Sequence, residues 1–155
     1  MDKPFSYEEF KDIYSKVPRL CVDIIARTQN GIVLVLRGPG YGWENLWHLP
    51  GGGLLYKEKV TDALHRILKN EIGAEANIVK PFSYIEFPSE EKERGFGYSV
   101  SLVFLCDLLP GQLQSHAEEL REVKVFSELP ENMVIEHKIF LENHWDEMFK
   151  NETDR

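Results

Sequence analysis

The chain has 155 residues, of which 43% are hydrophobic, and a formal net charge of −8 at neutral pH. This length suits one domain over residues 1–155 with a sizeable core, and the acidic balance argues against nucleic acid as the main partner, because duplex binding normally needs a basic face. No apolar run approaches the ~18 residues of a membrane span, and the first ten residues lack the apolar segment of a signal peptide. We therefore expect a cytoplasmic protein that does not contact a membrane.

The start of the chain predicts a helix followed by a β-hairpin. Ser6 and Glu9 have the spacing of a capping box, which predicts a helix over 7–16. The following stretch "LCVDIIARTQNGIVLVLRG" contains two apolar runs joined at Asn30-Gly31, and Asn-Gly is a strong signal for a tight hairpin turn.

A glycine-rich loop then leads into a second helix. The loop "GPGYGWENLWHLPGGG" contains a possible short strand over 46–49. Apolar residues recur at helical spacing over 58–72, which predicts a helix with one buried face, and Gly73 is the expected stop.

The second half of the chain predicts three more strands and a last helix. The strands lie in "ANIVKPFSYIEF", "GYSVSLVFLCDLL" and "ELREVKVF", and the helix covers 134–149. The charged "PSEEKERG" segment reads as a solvated hairpin loop. Strands mixed with two or three helices indicate an α/β fold, a sheet covered on both sides.

The segment from Leu49 to Gly73 carries the chemistry. Glycines allow a backbone to approach a ligand closely, and helix-borne carboxylates beside them are suited to Mg²⁺, which prefers oxygen ligands. The segment resembles the Nudix box, G-x5-E-x7-R-E-U-x-E-E-x-G-U, over 52–74. The matching positions are Gly52, Glu58, Arg66, Leu68, Glu71 and Gly73, with Ala74 a weak match. The resemblance implies a Nudix-type α/β/α sandwich, in which a mixed β-sheet is flanked by helices.

Two positions depart from that pattern. Ile67 and Asn70 replace glutamates, so only Glu71 remains of the three that bind metal or activate water in most Nudix enzymes. This combination is similar to the GDP-mannose mannosyl hydrolase branch, and Asp23 in the first strand and Arg37 at the end of the second also match that branch. The resemblance implies a homodimeric hydrolase acting on a nucleotide sugar.

The same resemblance implies a set of site residues. Mg²⁺, with Mn²⁺ as an alternative, would be held by the carbonyl of Gly51, by Glu71 and by Glu119. Arg66, Glu71 and Glu119 would form the catalytic set. Asp23 would contact the base or ribose of the small-molecule nucleotide.

Several readings stay open at this point. Leu120 stands where the branch has its histidine base, so His116 or Glu119 could activate water instead. Arg66 could pair with Glu58 or, like Arg37, contact phosphate. The rival functions are a nucleoside triphosphate pyrophosphohydrolase and a non-catalytic module that binds a nucleotide.

Overall fold

The computed structural model describes residues 3–150 and contains four helices and seven strands within that range. The elements in chain order are α1 (Tyr7–Tyr14), β1 (Arg19–Thr28), β2 (Gly31–Arg37), β3 (Trp47–His48), β4 (Gly51–Gly53), α2 (Val60–Ile67), a π-helical turn (Leu68–Ile72), β5 (Ala76–Glu86), α3 (Glu90–Arg94), β6 (Ser99–Leu108), β7 (Leu120–Phe126) and α4 (Ile135–Met148).

The seven strands form one mixed sheet with β1 at its centre. The order along the sheet is β3-β2-β1-β6-β5, while β4 pairs with β1 and β7 pairs with β2. β1 and β6 run parallel over nine residue pairs, from Arg19 opposite Ser99 to Arg27 opposite Asp107, and the other pairs are antiparallel. Because β1 pairs with β2 only next to their hairpin turn, its first half is free to pair with the glycines of β4.

Alternation along the central strands creates two apolar cores, one on each face. Val22, Ile24 and Ala26 of β1 pack with the buried side of α2, while Ile25 belongs to a second core that includes α4. Cys21 and Asp23 share the face of Ile25, because side chains alternate along a strand. The prediction of a mixed sheet flanked by helices is confirmed.

Local predictions were accurate at the chain's strongest signals. Ser6 accepts from the Glu9 N–H at 3.2 Å while the Glu9 side chain accepts from the Ser6 N–H at 2.8 Å, so the capping box is confirmed. The hairpin is also confirmed, with Gly31 at a φ of 136° that favours glycine. No helix within residues 3–150 is long and apolar enough to span a membrane.

Two predicted segments were wrong in detail. The second helix begins at Val60 instead of 58, and its last turn is π-helical. The segment read as a solvated loop contains the short helix α3, whose Glu90 is buried and paired with Arg94. Charge alone suggested exposure, but the partner four residues along the same helix lets this carboxylate enter the interior.

Candidate functional site

A closed ion-pair network holds the entry to α2. Arg66 donates from Nε and Nη2 to the two carboxylate oxygens of Glu58, at 2.7 and 2.9 Å, and from Nη2 to the carbonyl of Gly53 at 2.9 Å. Glu58 also accepts from the N–H of Leu55 at 3.1 Å. The hydrogen bonds from Arg66 are the main reason that the pKa of Glu58 lies below its usual value. Arg66 therefore fixes the glycine strand to the helix.

Glu71 lies at the other end of the helical segment, in the π-helical turn. Its side chain is almost fully buried, and Oε1 accepts from the N–H of Gly51 at 3.0 Å. The N–H and C=O of one residue point to the same side of a strand, so the carbonyl of Gly51 also faces away from β1, toward Glu71. The structure thus places the two predicted metal ligands together.

Three charged side chains surround Glu71. The pKa of Glu71 is raised to about 8, mainly by burial and also by the carboxylates of Glu119 and Asp23, while the Gly51 N–H and Arg37 oppose the rise. A divalent cation would relieve the crowding of three carboxylates, because it favours their ionised forms.

Asp23 is held by a histidine from the far end of the chain. Leu49 donates its N–H to Nδ1 of His137 at 3.2 Å, so the ring proton lies on Nε2, which donates to Oδ2 of Asp23 at 2.9 Å. Any side chain on residue 51 would collide with Oδ1 of Asp23, so this carboxylate requires Gly51. Asp23 therefore lies directly against the candidate metal site.

Arg37 is a partly buried cation at the end of β2. It donates to the carbonyls of Tyr41 and Gly42, at 3.0 and 3.3 Å, and lies over the Trp43 ring. Burial lowers its pKa, and Glu71 and Glu119 oppose that shift. Its positive charge thus faces the carboxylates of the site.

The donor set suits a metal that uses few protein ligands. Across the described part of the chain, no three His, Cys, Asp or Glu side chains come together closely enough to hold a metal ion. Mg²⁺ commonly takes one or two carboxylates and completes its shell with water and substrate phosphate. Glu71, the Gly51 carbonyl and the nearby Glu119 match that demand.

The two positions that depart from the Nudix pattern lie in different environments. Ile67 is buried in the α2-side core, where its Cδ1 would lie 3.6 Å from a Cβ on Gly52. Asn70 is partly exposed, and its backbone carbonyl accepts from the N–H of His116 at 2.8 Å. Neither side chain provides a carboxylate.

The late loop brings one of its two candidate bases toward the site. Glu119 is partly exposed and its carbonyl accepts from the N–H of Gly38, next to Arg37, at 2.9 Å, while the His116 side chain is exposed. Leu120 is buried in the α2-side core. Glu119 is therefore better placed than His116 to act on water at the metal.

Four neighbouring residues were missed by sequence reasoning. They are Arg19, Glu90, Arg94 and His137, which lie on β1, α3 and α4. The spacing of Glu90 and Arg94, four apart in a charged run, was the one available signal. His137 had none, because it meets Asp23 across 114 residues of sequence.

Comparison with known protein families fits this arrangement. The model of the NUDIX domain matches residues 17–143. The chain belongs to the NUDIX family. The match includes the Gly51–Glu71 pair, Asp23, Arg37 and Glu119, and it confirms the predicted family.

Two curated proteins are similar in sequence to this chain. One, the low-salt glycan biosynthesis protein Agl8 of Haloferax volcanii, is 34% identical over 82 residues, or 50% of this chain and 51% of Agl8. The other, an ADP-ribose pyrophosphatase of Methanocaldococcus jannaschii, is 27% identical over 109 residues, or 70% of this chain and 62% of that protein. This Nudix chain thus spans between half and two thirds of the length of these relatives.

Solved structures support the same fold. The NUDIX domain of Shewanella oneidensis NrtR, solved in complex with ADP ribose, superposes with a TM-score of 0.68 at 18% identity and covers 94% of each chain. At this identity the likeness shows the Nudix fold alone.

Proposed function

We propose that this Nudix protein is a Mg²⁺-dependent hydrolase, also served by Mn²⁺, that cleaves a nucleoside diphosphate linked to a second group. A nucleotide sugar such as GDP-mannose is the substrate to test first. The observation that carries the proposal is the pairing of a buried carboxylate, Glu71, with the outward-facing backbone of Gly51. Among residues 3–150, no cationic side chain lies at ion-pair distance from Glu71. A buried carboxylate in that position is costly, and a bound cation offsets the cost.

The residues of the candidate metal site have different proposed roles. Glu71, the Gly51 carbonyl and Glu119 would hold the metal, and Arg37 would offset phosphate charge from its partly buried position at the end of β2. When bound, the metal lowers the pKa of a coordinated water and polarises the phosphate. Arg66 acts as a positioning residue, because its donors already bind Glu58 and Gly53.

Glu119 is the proposed proton acceptor for the attacking water. It is partly exposed, so it can meet water, and its charge reaches Glu71. The Ile67 position cannot serve, because its side chain lies in the core. The metal and the fixed charges, more than a strong local base, provide most of the rate enhancement.

One relative supports a nucleotide-sugar substrate, and another favours a different substrate. Agl8 of Haloferax volcanii is named for glycan biosynthesis, and the resemblance of the motif to the GDP-mannose mannosyl hydrolase branch implies a nucleotide-sugar substrate. The Methanocaldococcus jannaschii relative is an ADP-ribose pyrophosphatase, which favours cleavage between two phosphates as the second candidate. Loss of carboxylates at Ile67 and Asn70 favours a third candidate, a non-catalytic nucleotide-binding module.

Hydrolysis in ¹⁸O-labelled water separates these candidates. The substrates are GDP-mannose, ADP-ribose and GTP, each with Mg²⁺, with Mn²⁺ and with EDTA. Attack at the sugar carbon places ¹⁸O on mannose and releases GDP. Attack at phosphorus labels a phosphate and releases two monophosphates, or a monophosphate and pyrophosphate from GTP.

The proposal requires metal-dependent turnover of at least one diphosphate-linked substrate. Turnover of GTP alone would favour the triphosphate pyrophosphohydrolase. Binding of these nucleotides with no turnover in either metal would instead identify the binding module, and turnover that persists in EDTA would contradict the metal site.

The assembly and location of the protein remain proposals. We propose that residues 1–155 form one Nudix domain that acts as a cytoplasmic homodimer and needs no nucleic acid. Light scattering coupled to size-exclusion chromatography tests the dimer, for which a mass near twice 18.0 kDa is expected.

A further inference from the structure

A polar cavity adjoins the candidate metal site on the α4 face of the sheet. Its volume is about 90 Å³, which is room for about six water molecules. Asp23, Arg37 and Gly51 of the candidate site are part of its wall. The cavity and the candidate metal site are therefore continuous.

Three buried polar side-chain atoms on residues that line this cavity have no hydrogen-bond partner among residues 3–150. They are Nε2 of His48, Oε1 of Glu90 and Oγ of Ser101, and they are the only such side-chain atoms among residues 3–150. All three residues line the cavity. Leaving a buried polar group unpaired costs about 1–3 kcal/mol, so three in one place call for a common partner.

Each of the three atoms can accept a hydrogen bond. His48 uses Nδ1–H to donate to the carbonyl of Leu49 at 2.7 Å, which leaves a lone pair on Nε2. Burial lowers the pKa of His48 to about 3, so the ring is neutral at neutral pH. Glu90 contacts Arg94 through Oε2 at 3.4 Å, which leaves Oε1 free. The cavity therefore matches a ligand group rich in O–H or N–H donors.

Three arginines give the cavity wall a local positive charge in an acidic protein. Burial lowers the pKa values of Arg37 and Arg94, and the charge of Arg19 lowers both further. Arg19 stacks on Phe10, and its guanidinium occupies the space beside Gly53, where a Cβ would lie 2.5 Å from Nη2. Within the described residues, no carboxylate lies at ion-pair distance from Arg19 or Arg37. Two guanidinium groups are thus available to an anion.

We propose that this cavity binds the uncharged, donor-rich part of a diphosphate-linked ligand, with Ser101, Glu90 and His48 as its specificity-determining residues. The inference rests on the proposed function for the diphosphate at the metal site. Arg19 and Arg37 face the anionic part, and the three acceptors meet hydroxyl or amino groups. The sugar hydroxyls and the amino and imino groups of a base share this chemistry.

Calorimetry in EDTA tests the cavity separately from turnover. The probes are GDP-mannose, GDP and mannose 1-phosphate, and the variants are Ser101→Ala and Glu90→Gln. Ser83→Ala and Glu91→Gln are matched controls at exposed positions on the neighbouring strand and on the same helix. Thermal unfolding of each variant checks that it is folded.

The expected result is weaker GDP-mannose binding, by about 3- to 10-fold for Ser101→Ala and by about 10-fold or more for Glu90→Gln. The larger effect is expected for Glu90 because its hydrogen bond to the ligand involves a carboxylate. The controls should bind like the wild type. Parallel weakening of mannose 1-phosphate with GDP unaffected places the sugar in the cavity, and the reverse places the base there.

Wild-type affinity of both variants for all three probes would overturn the inference, even if labelled-water hydrolysis succeeds. Absence of measurable binding of all three probes to the wild type, both in EDTA and in Mg²⁺, would also overturn it. Cavity-dependent binding with no turnover would leave the inference standing and remove the hydrolase proposal.

Discussion

The two ends of the Nudix helix use their glutamates in opposite ways. Glu58, before the helix, accepts hydrogen bonds from Arg66 and Leu55, and its pKa is lowered. Glu71, after the helix, has one backbone N–H as its donor, and burial among like charges raises its pKa to about 8. The Glu58 carboxylate is bound by donors of the protein itself, while the Glu71 carboxylate has too few donors and can be stabilised by a bound cation.

This comparison explains why both residues can belong to one motif and yet have separate roles. A saturated ion pair fixes the shape of the glycine strand but has little capacity left for a ligand. An unsaturated buried carboxylate is costly in the metal-free protein and becomes useful when metal binds. Substitutions at the two ends should therefore affect stability and activity differently.

The largest effect is expected from Glu71→Gln. We predict at least ~100-fold loss of kcat with Mg²⁺, because the amide cannot neutralise the metal's charge. Steady-state kinetics on the substrate found in the ¹⁸O assay measures it, with Asp62→Asn, an exposed position on α2, as control. A loss below ~5-fold would remove Glu71 from the metal site.

Arg66→Met should act mainly on stability. The Glu58–Arg66 side chains are 13% and 20% exposed, between surface and buried pairs, so we expect a loss of about 2–3 kcal/mol in unfolding free energy. Urea unfolding measures this loss. At a temperature where the variant is folded, kcat should fall less than in Glu71→Gln. The reverse order of effects on kcat would mean that Arg66 contacts phosphate.

His48 gives a third, pH-dependent test beside the same glycine strand. Its pKa is lowered to about 3 in the folded protein, so between about pH 6.5 and 3 the unfolded chain binds the extra proton and folding stability falls as pH falls. From pH 7 to pH 5 this group should account for about 2 kcal/mol of lost stability. Urea unfolding at pH 7 and at pH 5 measures this loss. Between the two pH values, the unfolding free energy of His48→Gln should fall by about 2 kcal/mol less than that of the wild type. Equal losses in both proteins would show that the pKa of His48 is not lowered in the folded protein.

Local signals in the sequence were sufficient for much of this molecule. The Asn30-Gly31 turn and the Ser6 capping box depend on neighbouring residues, so their geometry could be predicted without the rest of the chain. The spacing from Gly52 to Gly73 works in the same way, because one loop and one helix carry the whole motif.

The remaining parts of the site depend on distant contacts. The Asp23–His137 pair joins residues 114 positions apart, and Glu90 is buried because α3 folds onto the sheet. No periodicity marks such partners in one sequence. The π-helical turn was missed for a related reason, since apolar spacing fits an α-helix through 72 almost as well.

The smallest effect is expected from Glu119→Gln. This variant tests whether Glu119 belongs with Glu71 to the set of metal ligands. Glu119 is partly exposed, so its contribution to metal binding should be smaller than that of buried Glu71. We predict that half-saturating Mg²⁺ rises about 10-fold, equal to about 1.4 kcal/mol, while Glu118→Gln, the exposed neighbour, leaves it unchanged. Metal titrations of activity measure both variants.

A lower kcat at saturating Mg²⁺ would add the proposed proton transfer to the role of Glu119, because extra metal replaces a lost ligand but cannot replace a base. An unchanged Mg²⁺ dependence with unchanged kcat would restrict the metal's protein ligands to Glu71 and Gly51.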